Sequence, residues 1–446
     1  MLIYSDADEV GSESRPKRRD KSPNNMRIIA DLQIHSKYSR ACSQDLNPGN
    51  VGIWANKKGI QVIGTGDFTH PKWLAELKEA LEEAKPGLYQ LKDRSAKAYF
   101  MLTSEVSSIY KQGDKVRRIH NMIFAPNFAA VDKIIVGLEQ RGCNLKADGR
   151  PIIGLHCDEL VKIVLDADPR NVIIPAHAWT PHFGLFGSLS GFDSVEEAFG
   201  DQAKHIFAIE TGLSSDPKMN WQISGLDQYS LVSNSDAHSL RKIGREANVF
   251  EIPEDKLSYD EIVRVIKDKN PKEFLYTIEF FPEEGKYHLD GHADCKFSCL
   301  PKETKRLKGI CPVCGKKLLV GVLNRISELA DRPFLISSSS GAIPFKSVIP
   351  LEEIIADTYG TGVGKKVLVT YEQMVGKYPE FDILLDLSKA EIATIADPII
   401  AESVIRVREG KVHVEGGYDG LFGKIHIYSD EERRKFAKKA EQTSLF

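Results

Sequence analysis

Eight side chains with the chemistry of metal ligands recur at one kind of position along the chain. His35, Asp67, His70, Glu105, His120, His177, Asp236 and His238 each fall at or just beyond an end of a short apolar run. The runs include RIIADLQIH, IQVIGTGDF, AYFMLTSEVSS, IHNMIFAP, NVIIPAHA and YSLVSNSDAH. In IIADLQIHS the two-residue period of a strand puts Asp31, Gln33 and His35 on one face and Leu32 and Ile34 on the other. Glu105 is read as closing the strand AYFMLTS and His120 as opening HNMIFAP. Burying isolated charges in an apolar interior costs on the order of several kcal/mol each, and a cation removes that cost. One histidine at a strand end would read as a hydrogen-bonded structural residue. Five histidines with three carboxylates at comparable positions read as ligands for two or three divalent ions.

Mixed imidazole and carboxylate donors suit zinc, manganese or iron, and magnesium is a further candidate where carboxylates dominate. Two such ions, roughly 3.5–4 Å apart, form a clamp for phosphate-ester hydrolysis. In that chemistry Asp236 and Glu105 are the catalytic carboxylates, with Asp236 bridging metals. Arg40, in the loop SKYSRACS after His35, is the candidate cation for charge on the phosphoryl oxygens.

These residues need a scaffold that brings strand ends together. From residue 26 to about 280, strand and amphipathic helix alternate about seven times, which predicts an α/β domain with a parallel sheet or barrel. In such folds, ligands collect at the carboxyl ends of the strands. Trp73–Lys85 is predicted as a helix, with Leu74, Leu77, Leu81 and Ala84 on its buried face and Pro86 as its stop. Residues 1–25 are polar and of mixed charge and read as a disordered leader. Residues 281–320 are rich in cysteine and lysine, 321–430 return to mixed helix and strand, and 431–446 form a charged tail.

Composition narrows the class further. With 446 residues, 42% of them hydrophobic and 28% charged, the chain has ample core for several domains. No apolar run is long enough to cross a membrane, and the N-terminus has no secretory apolar region. A net charge of −3 excludes a globally basic nucleic-acid binder but allows a local basic groove. Seven cysteines without an export signal place the protein in a reducing, cytoplasmic setting. Cys42, Cys143 and Cys157 stand apart and are expected to be buried thiols.

The cysteine segment holds Cys295-x3-Cys299 and Cys311-x2-Cys314 within CPVCGK, the spacing of a structural zinc site. His292-x2-Cys295 competes with Cys299 for the fourth position. A segment this short and polar needs a metal staple to hold a fold. Lys302, Lys305, Arg306, Lys308, Lys316 and Lys317 surround it, as a phosphate-tracking surface would. Further on, TYGTGVGKKV lacks the spacing of a nucleotide-binding loop. Its glycine turn, with Lys365 and Lys366, could instead present backbone amides to a DNA phosphate. The loop TPHFGLFGSLSGF offers His182, Phe183 and Phe186 either as a hydrophobic lid packed on the barrel rim or as faces on which an extruded base could stack. In the same loop Gly184 and Gly187 would let backbone donors approach that base, and Trp179 is assigned to the core.

The strings D-x-x-x-H-S, E-V-S, P-A-H and S-D-A-H resemble the polymerase and histidinol phosphatase (PHP) superfamily. That resemblance implies a distorted (β/α)7 barrel with metals at the strand carboxyl ends. Over residues 26–430 the strings ADLQIHSKYSRACS, GTGDFTHP, IPAHAWTPHFGLFGS, SNSDAHS, GKYHLDGH, CPVCGK and YDGLFGKI make the chain similar to the endonuclease Q family. This likeness implies a barrel followed by a small zinc-binding module and a mixed helical C-terminal domain. It also implies metal-dependent DNA cleavage on the 5′ side of deaminated bases (uracil, hypoxanthine, xanthine) and of abasic sites. One position departs from the superfamily, because Gln33 stands where a first histidine is usual. An amide is a weak ligand, so two metals are better supported than three. The final Gln442-Thr443-Ser444-Leu445-Phe446 resembles the pentapeptide that binds bacterial sliding clamps. Two other functions compete: hydrolysis of a small phosphomonoester, and a DNA-binding scaffold whose metal site has degenerated.

Overall fold

The computed structural model describes residues 25–333, 342–429 and 431–433. Nearly all of the predicted leader, and the clamp-like residues Gln442, Leu445 and Phe446, lie outside the described residues.

Seven strands close a distorted ring. They are β1 (Asn25–Asp31), β2 (Val62–Gly64), β3 (Tyr99–Gln112), β4 (Lys115–Ala125), β5 (Val172–Pro175), β6 (Ala208–Glu210) and β7 (Ser230–Val232). β1 pairs in parallel with β2, and β2 with β3. The hairpin β3–β4 and the pair β4–β5 are antiparallel, and this is the distortion. The backbone N–H of Ala178 reaches the Glu210 carbonyl at 2.9 Å, joining the β5 end to β6. β6 and β7 run parallel, and the parallel bridge Ile34–Ala237 returns the ring to the end of β1. Outside the ring, β8 (Ala247–Pro253) lies antiparallel to β1, β9 (Phe274–Glu279) lies antiparallel to β8, and β10 (Phe345–Ser347) runs parallel to β9. Valine, isoleucine and phenylalanine fill the strands and are buried on both faces, as expected for strands covered by helices.

Helices pack their apolar stripes against this sheet. Asn47 caps the helix Pro48–Lys58 through Asn50 N, and Asn127 caps Phe128–Gln140 through Ala130 N. The helix Cys157–Ala167 buries Leu160, Val161, Ile163 and Val164, a spacing that turns one face inward.

Three expectations need correction. The predicted helix over Trp73–Lys85 ends at Ala80, because Leu81–Lys85 pairs antiparallel with Leu88–Leu91 across a Pro86-Gly87 turn. Gly87 adopts φ +70°, and pairing with a neighbouring strand overrides local helix propensity here. Glu105 does not close its strand, nor does His120 open one. Both sit within the long β3–β4 hairpin, where Glu105 is opposite Met122 and His120 is opposite Ser107. Cys157 is buried, whereas Cys42 and Cys143 are only half-buried.

The C-terminal region is docked on the barrel rather than tethered to it. Its helices Leu351–Thr358, Lys365–Val375 and Pro398–Arg408 share one continuous apolar core with the barrel, through residues such as Ile354, Tyr371 and Val404. A buried ion pair joins Lys58 Nζ to Glu380 Oε2 at 2.7 Å, and Glu380 also accepts from Tyr371 Oη and Leu351 N. Before it, the segment Asp290–His292 pairs antiparallel with Phe297–Cys299 in the cysteine module.

Candidate metal centre and nucleic-acid face

The barrel mouth gathers two ligand sets. His35, Asp236 and His238 form one and Glu105, His120 and His177 the other, each with ligand atoms within 4.8 Å of one another. They interlock, because His35 Nε2 lies 3.0 Å from Asp236 Oδ1 and 3.1 Å from Glu105 Oε2. Glu105 Oε1 sits 2.5 Å from His120 Nδ1 and 3.5 Å from His177 Nε2. Yet this buried oxygen makes no hydrogen bond of good geometry. The His120 Nδ1 and His177 Nε2 nitrogens also face each other at 3.1 Å. A buried carboxylate oxygen without a hydrogen bond, set among imidazole nitrogens, fits a shared cation, so the residues present suit divalent metals.

Fixed partners orient each imidazole. His35 Nδ1 donates to Asp67 Oδ1 at 2.9 Å, which directs Nε2 into the cluster. Asp67 is in turn saturated, with Oδ2 accepting from Ser36 N, Ser36 Oγ and Ser39 Oγ at 2.6, 2.7 and 2.8 Å. It therefore stands behind His35 and outside both ligand sets. His177 Nδ1 donates to Thr180 Oγ1 at 3.1 Å and His238 Nδ1 to the Asp236 carbonyl at 2.8 Å, leaving each Nε2 for the site. Gln33 Nε2 donates to Glu105 Oε2 at 2.8 Å, so the amide that replaces a histidine steadies a carboxylate instead. His70 joins neither set. It packs parallel to the Tyr38 ring at 4.5 Å, and its Nδ1 has no hydrogen-bond partner.

Charge and strain are concentrated here. Burial is the largest influence on His35 and favours the neutral ring, but Asp67, Asp236 and Glu105 outweigh it and hold its pKa well above the usual value. Burial also opposes ionisation of Glu105, yet His120 and Arg150 beside it keep its pKa well below the carboxylate range. His120 itself is pushed down to about 4, chiefly by burial. Asp67, His177 and Asp236 all adopt positive φ, at 52°, 29° and 47°. Each such residue costs about 1–3 kcal/mol, a cost that surrounding structure must offset. For His177 that support is Glu210, which accepts from His177 N at 2.6 Å and from Asn234 Nδ2 at 2.8 Å. Glu210 ends an apolar strand just as the predicted ligands do, so its position in HIFAIETG was the signal that could have found it.

The other predicted residues fall differently. Arg40 is exposed, and among the described residues only its backbone N–H is engaged, with Asp148. The guanidinium that stands at the cluster is that of Arg150, 3.6 Å from Glu105 Oε1. Phe186 is not a stacking face: it is 1% exposed and packs on Trp179, which is core as expected. Gly184 and Gly187 serve the loop's own compactness, since a Cβ at either would meet Thr180 O within 2.5 Å. Phe183 is half-buried with its ring 4.5 Å from that of His120, and His182 is exposed.

In the cysteine module, one ring nitrogen of His292 and the sulfurs of Cys295, Cys311 and Cys314 lie within 4.8 Å of one another. Cys299 is outside this group, its sulfur 3.2 Å from Thr304 Oγ1. The neighbouring thiols of Cys314 and Cys311 push Cys295 up to about 12, a crowding that a cation would relieve. Lys302, Lys305, Arg306, Lys308, Lys316, Lys317, Lys365 and Lys366 are all exposed. Arg306 pairs with Glu303, and Lys366 covers the Tyr359 ring at 4.2 Å.

The barrel and its ligand sets define a PHP-type phosphoesterase. Residues 228–271 match the family described as PHP-associated, and residues 350–411 match the MJ0043 C-terminal domain. The crystal structure of a lesion-specific endonuclease, PfuEndoQ from Pyrococcus furiosus, is 30% identical, covers 92% of this chain and 99% of its own, and superposes with a TM-score of 0.79. Endonuclease Q bound to a 27-mer duplex with an abasic lesion at its active site gives 30% identity, 92% and 98% coverage and a TM-score of 0.80. An uncharacterized protein of Bacillus subtilis, YqxK, is 29% identical over 412 residues, spanning 90% of this chain and 99% of that protein. The chain belongs to the endonuclease Q family, and it is a DNA endonuclease.

Proposed function

We propose that the protein is a metal-dependent DNA repair endonuclease that hydrolyses the phosphodiester on the 5′ side of deaminated bases and abasic sites. The observation that carries this reading is the convergence of His35, Glu105, His120, His177, Asp236 and His238 at one barrel mouth. Two divalent ions held there would supply a hydroxide near neutral pH and neutralise charge on the phosphoryl oxygens. The protein's own part is orientation: Asp67 and Thr180 fix the tautomers of His35 and His177, and Gln33 fixes Glu105. Phe183, at the rim beside His120, is the aromatic face nearest the ligands and the best placed to stack an extruded base. The exposed lysines of the cysteine module and at the start of the helix Lys365–Val375 suit phosphate contacts along a duplex, with zinc as the module's staple.

The relative whose active site holds an abasic duplex supports the substrate class. The test uses purified protein, manganese or magnesium, and labelled duplexes carrying one uracil, hypoxanthine, xanthine or abasic site each. A cut mapped to the 5′ side of the lesion is expected, and Asp236→Asn should abolish it while sparing DNA binding. Cleavage of undamaged duplex at equal rate would overturn the specificity. The sequence of the tail further supports a sliding clamp as partner, and removal of 442–446 should weaken clamp association without slowing cleavage of short duplexes.

A further inference from the structure

The geometry points to Arg150 as a catalytic residue, one whose guanidinium grips the non-bridging oxygens of the scissile phosphodiester. The inference rests on the endonuclease reading above and adds the cation that the ligand sets lack.

Four carboxylates act on Arg150, those of Glu105, Asp236, Asp67 and Asp148, and together they outweigh burial to hold the guanidinium firmly charged. It is held by a long ion pair with Glu105 rather than by hydrogen bonds. Its nearest carboxylate oxygen is 3.6 Å away, and among the described residues no hydrogen bond takes any of its side-chain N–H groups. About a quarter of the side chain, 23%, remains exposed, so a planar fork of donors is presented at the mouth of the cluster where a phosphate must enter. Other cations nearby are occupied: Arg245 Nε donates to the Ser235 carbonyl at 2.8 Å and Lys242 pairs with Glu353 at 2.6 Å.

The loop that carries Arg150 is pinned on both sides. Arg150 N donates to Asp148 Oδ1 at 3.0 Å, Gly149 N to the Tyr38 carbonyl at 3.0 Å, and Ser107 N to the Pro151 carbonyl at 2.9 Å. Ser107 lies on β3 two residues beyond Glu105, so the loop and the central ligand share one strand. Gly149 lies so close to the site that a Cβ would meet Asp67 Oδ2 and Ser39 Oγ at 2.4 Å each. That backbone approach, available only to glycine, brings the next residue over Glu105. A cation fixed in this way acts where charge develops on the phosphoryl group and needs no rearrangement during reaction.

The experiment compares wild type, Arg150→Ala and Arg150→Lys as full chains in single-turnover cleavage of an abasic duplex. Bound metal, metal-free DNA affinity and melting temperature are measured alongside. Removing one such donor typically slows chemistry about 10²–10³-fold. The alanine variant should therefore lose about that much rate, with metal content unchanged and DNA affinity changed less than about tenfold. Added guanidinium chloride at low millimolar concentration should restore part of the rate of the alanine variant and none of that of the lysine variant. Alanine-variant cleavage within threefold of wild type would overturn the assignment. So would a rate loss that tracks lost metal or a lower melting temperature and ignores guanidinium. If wild type leaves every duplex intact, the endonuclease reading falls by itself. The Arg150 assignment then stands or falls on the same rate loss and rescue with bis(p-nitrophenyl) phosphate, and hydrolysis of neither substrate refutes both.

Discussion

Replacing His292 and Cys299 one at a time separates the two candidates for the fourth ligand of the cysteine module. His292 belongs to the group of ligand atoms that includes Cys295, Cys311 and Cys314, and its buried Nδ1 has no hydrogen-bond partner. Cys299 instead contacts Thr304 Oγ1 at 3.2 Å, and that hydroxyl donates to Asp290. Structural zinc contributes about 10–16 kcal/mol in small modules, so one ligand of four carries roughly 2.5–4 kcal/mol. At about 1.4 kcal/mol per tenfold, His292→Ala should weaken zinc retention by roughly 10²–10³. Cys299→Ser exchanges one weak contact for another, worth at most about 1 kcal/mol. His292→Cys supplies a thiolate at the same place and should restore binding. The assay is competition for zinc against a graded series of chelators, with far-UV circular dichroism to show that the barrel is intact. Zinc lost from the Cys299→Ser variant and kept by His292→Ala would refute the assignment.

Other perturbations read the fold beneath the site. Among the described residues, Lys58→Met leaves the buried Glu380 carboxylate with Tyr371 Oη and Leu351 N as donors, and breaking a buried pair in this way costs about 3–5 kcal/mol. Urea unfolding should show that loss, and the double change Lys58→Met with Glu380→Leu should recover most of it. Burial, with Asp216 nearby, pushes the Glu279 carboxyl up to about 8. Its protonated form is favoured by folding, so the stability it adds is complete below the unfolded pKa of about 4.3 and is lost as pH rises through about 8. Glu279→Gln, which removes that titration, should flatten the decline in urea midpoint between pH 5 and pH 8; an unchanged slope would show that other groups set it.

Much of the site was legible because a strand end is a place where sequence periodicity and chemistry coincide. His35, His177, Asp236 and His238 all follow β-strands, and the structure brings them together. Glu105 and His120 were found by residue type, but their setting was not, since a fourteen-residue strand and its eleven-residue hairpin partner look locally like short separate runs. Asp67 was read as a ligand because type and position cannot distinguish a carboxylate that holds metal from one that holds a histidine. Arg150 left no trace, because Asp-Gly-Arg-Pro reads as an ordinary surface turn, and only three-dimensional packing carries that turn across the barrel mouth. Likewise, no local pattern marks Phe345–Ser347 as part of the barrel's sheet.

That last strand has a consequence for how the molecule can be divided. β9 would be an open edge in any fragment that stops before residue 345, and β10 covers it with Thr277 opposite Phe345 and Glu279 opposite Ser347. Unpaired edges invite pairing with other chains. An excised barrel would thus be prone to stick to its own copies, and during synthesis the sheet stays unfinished until the cysteine module has left the ribosome.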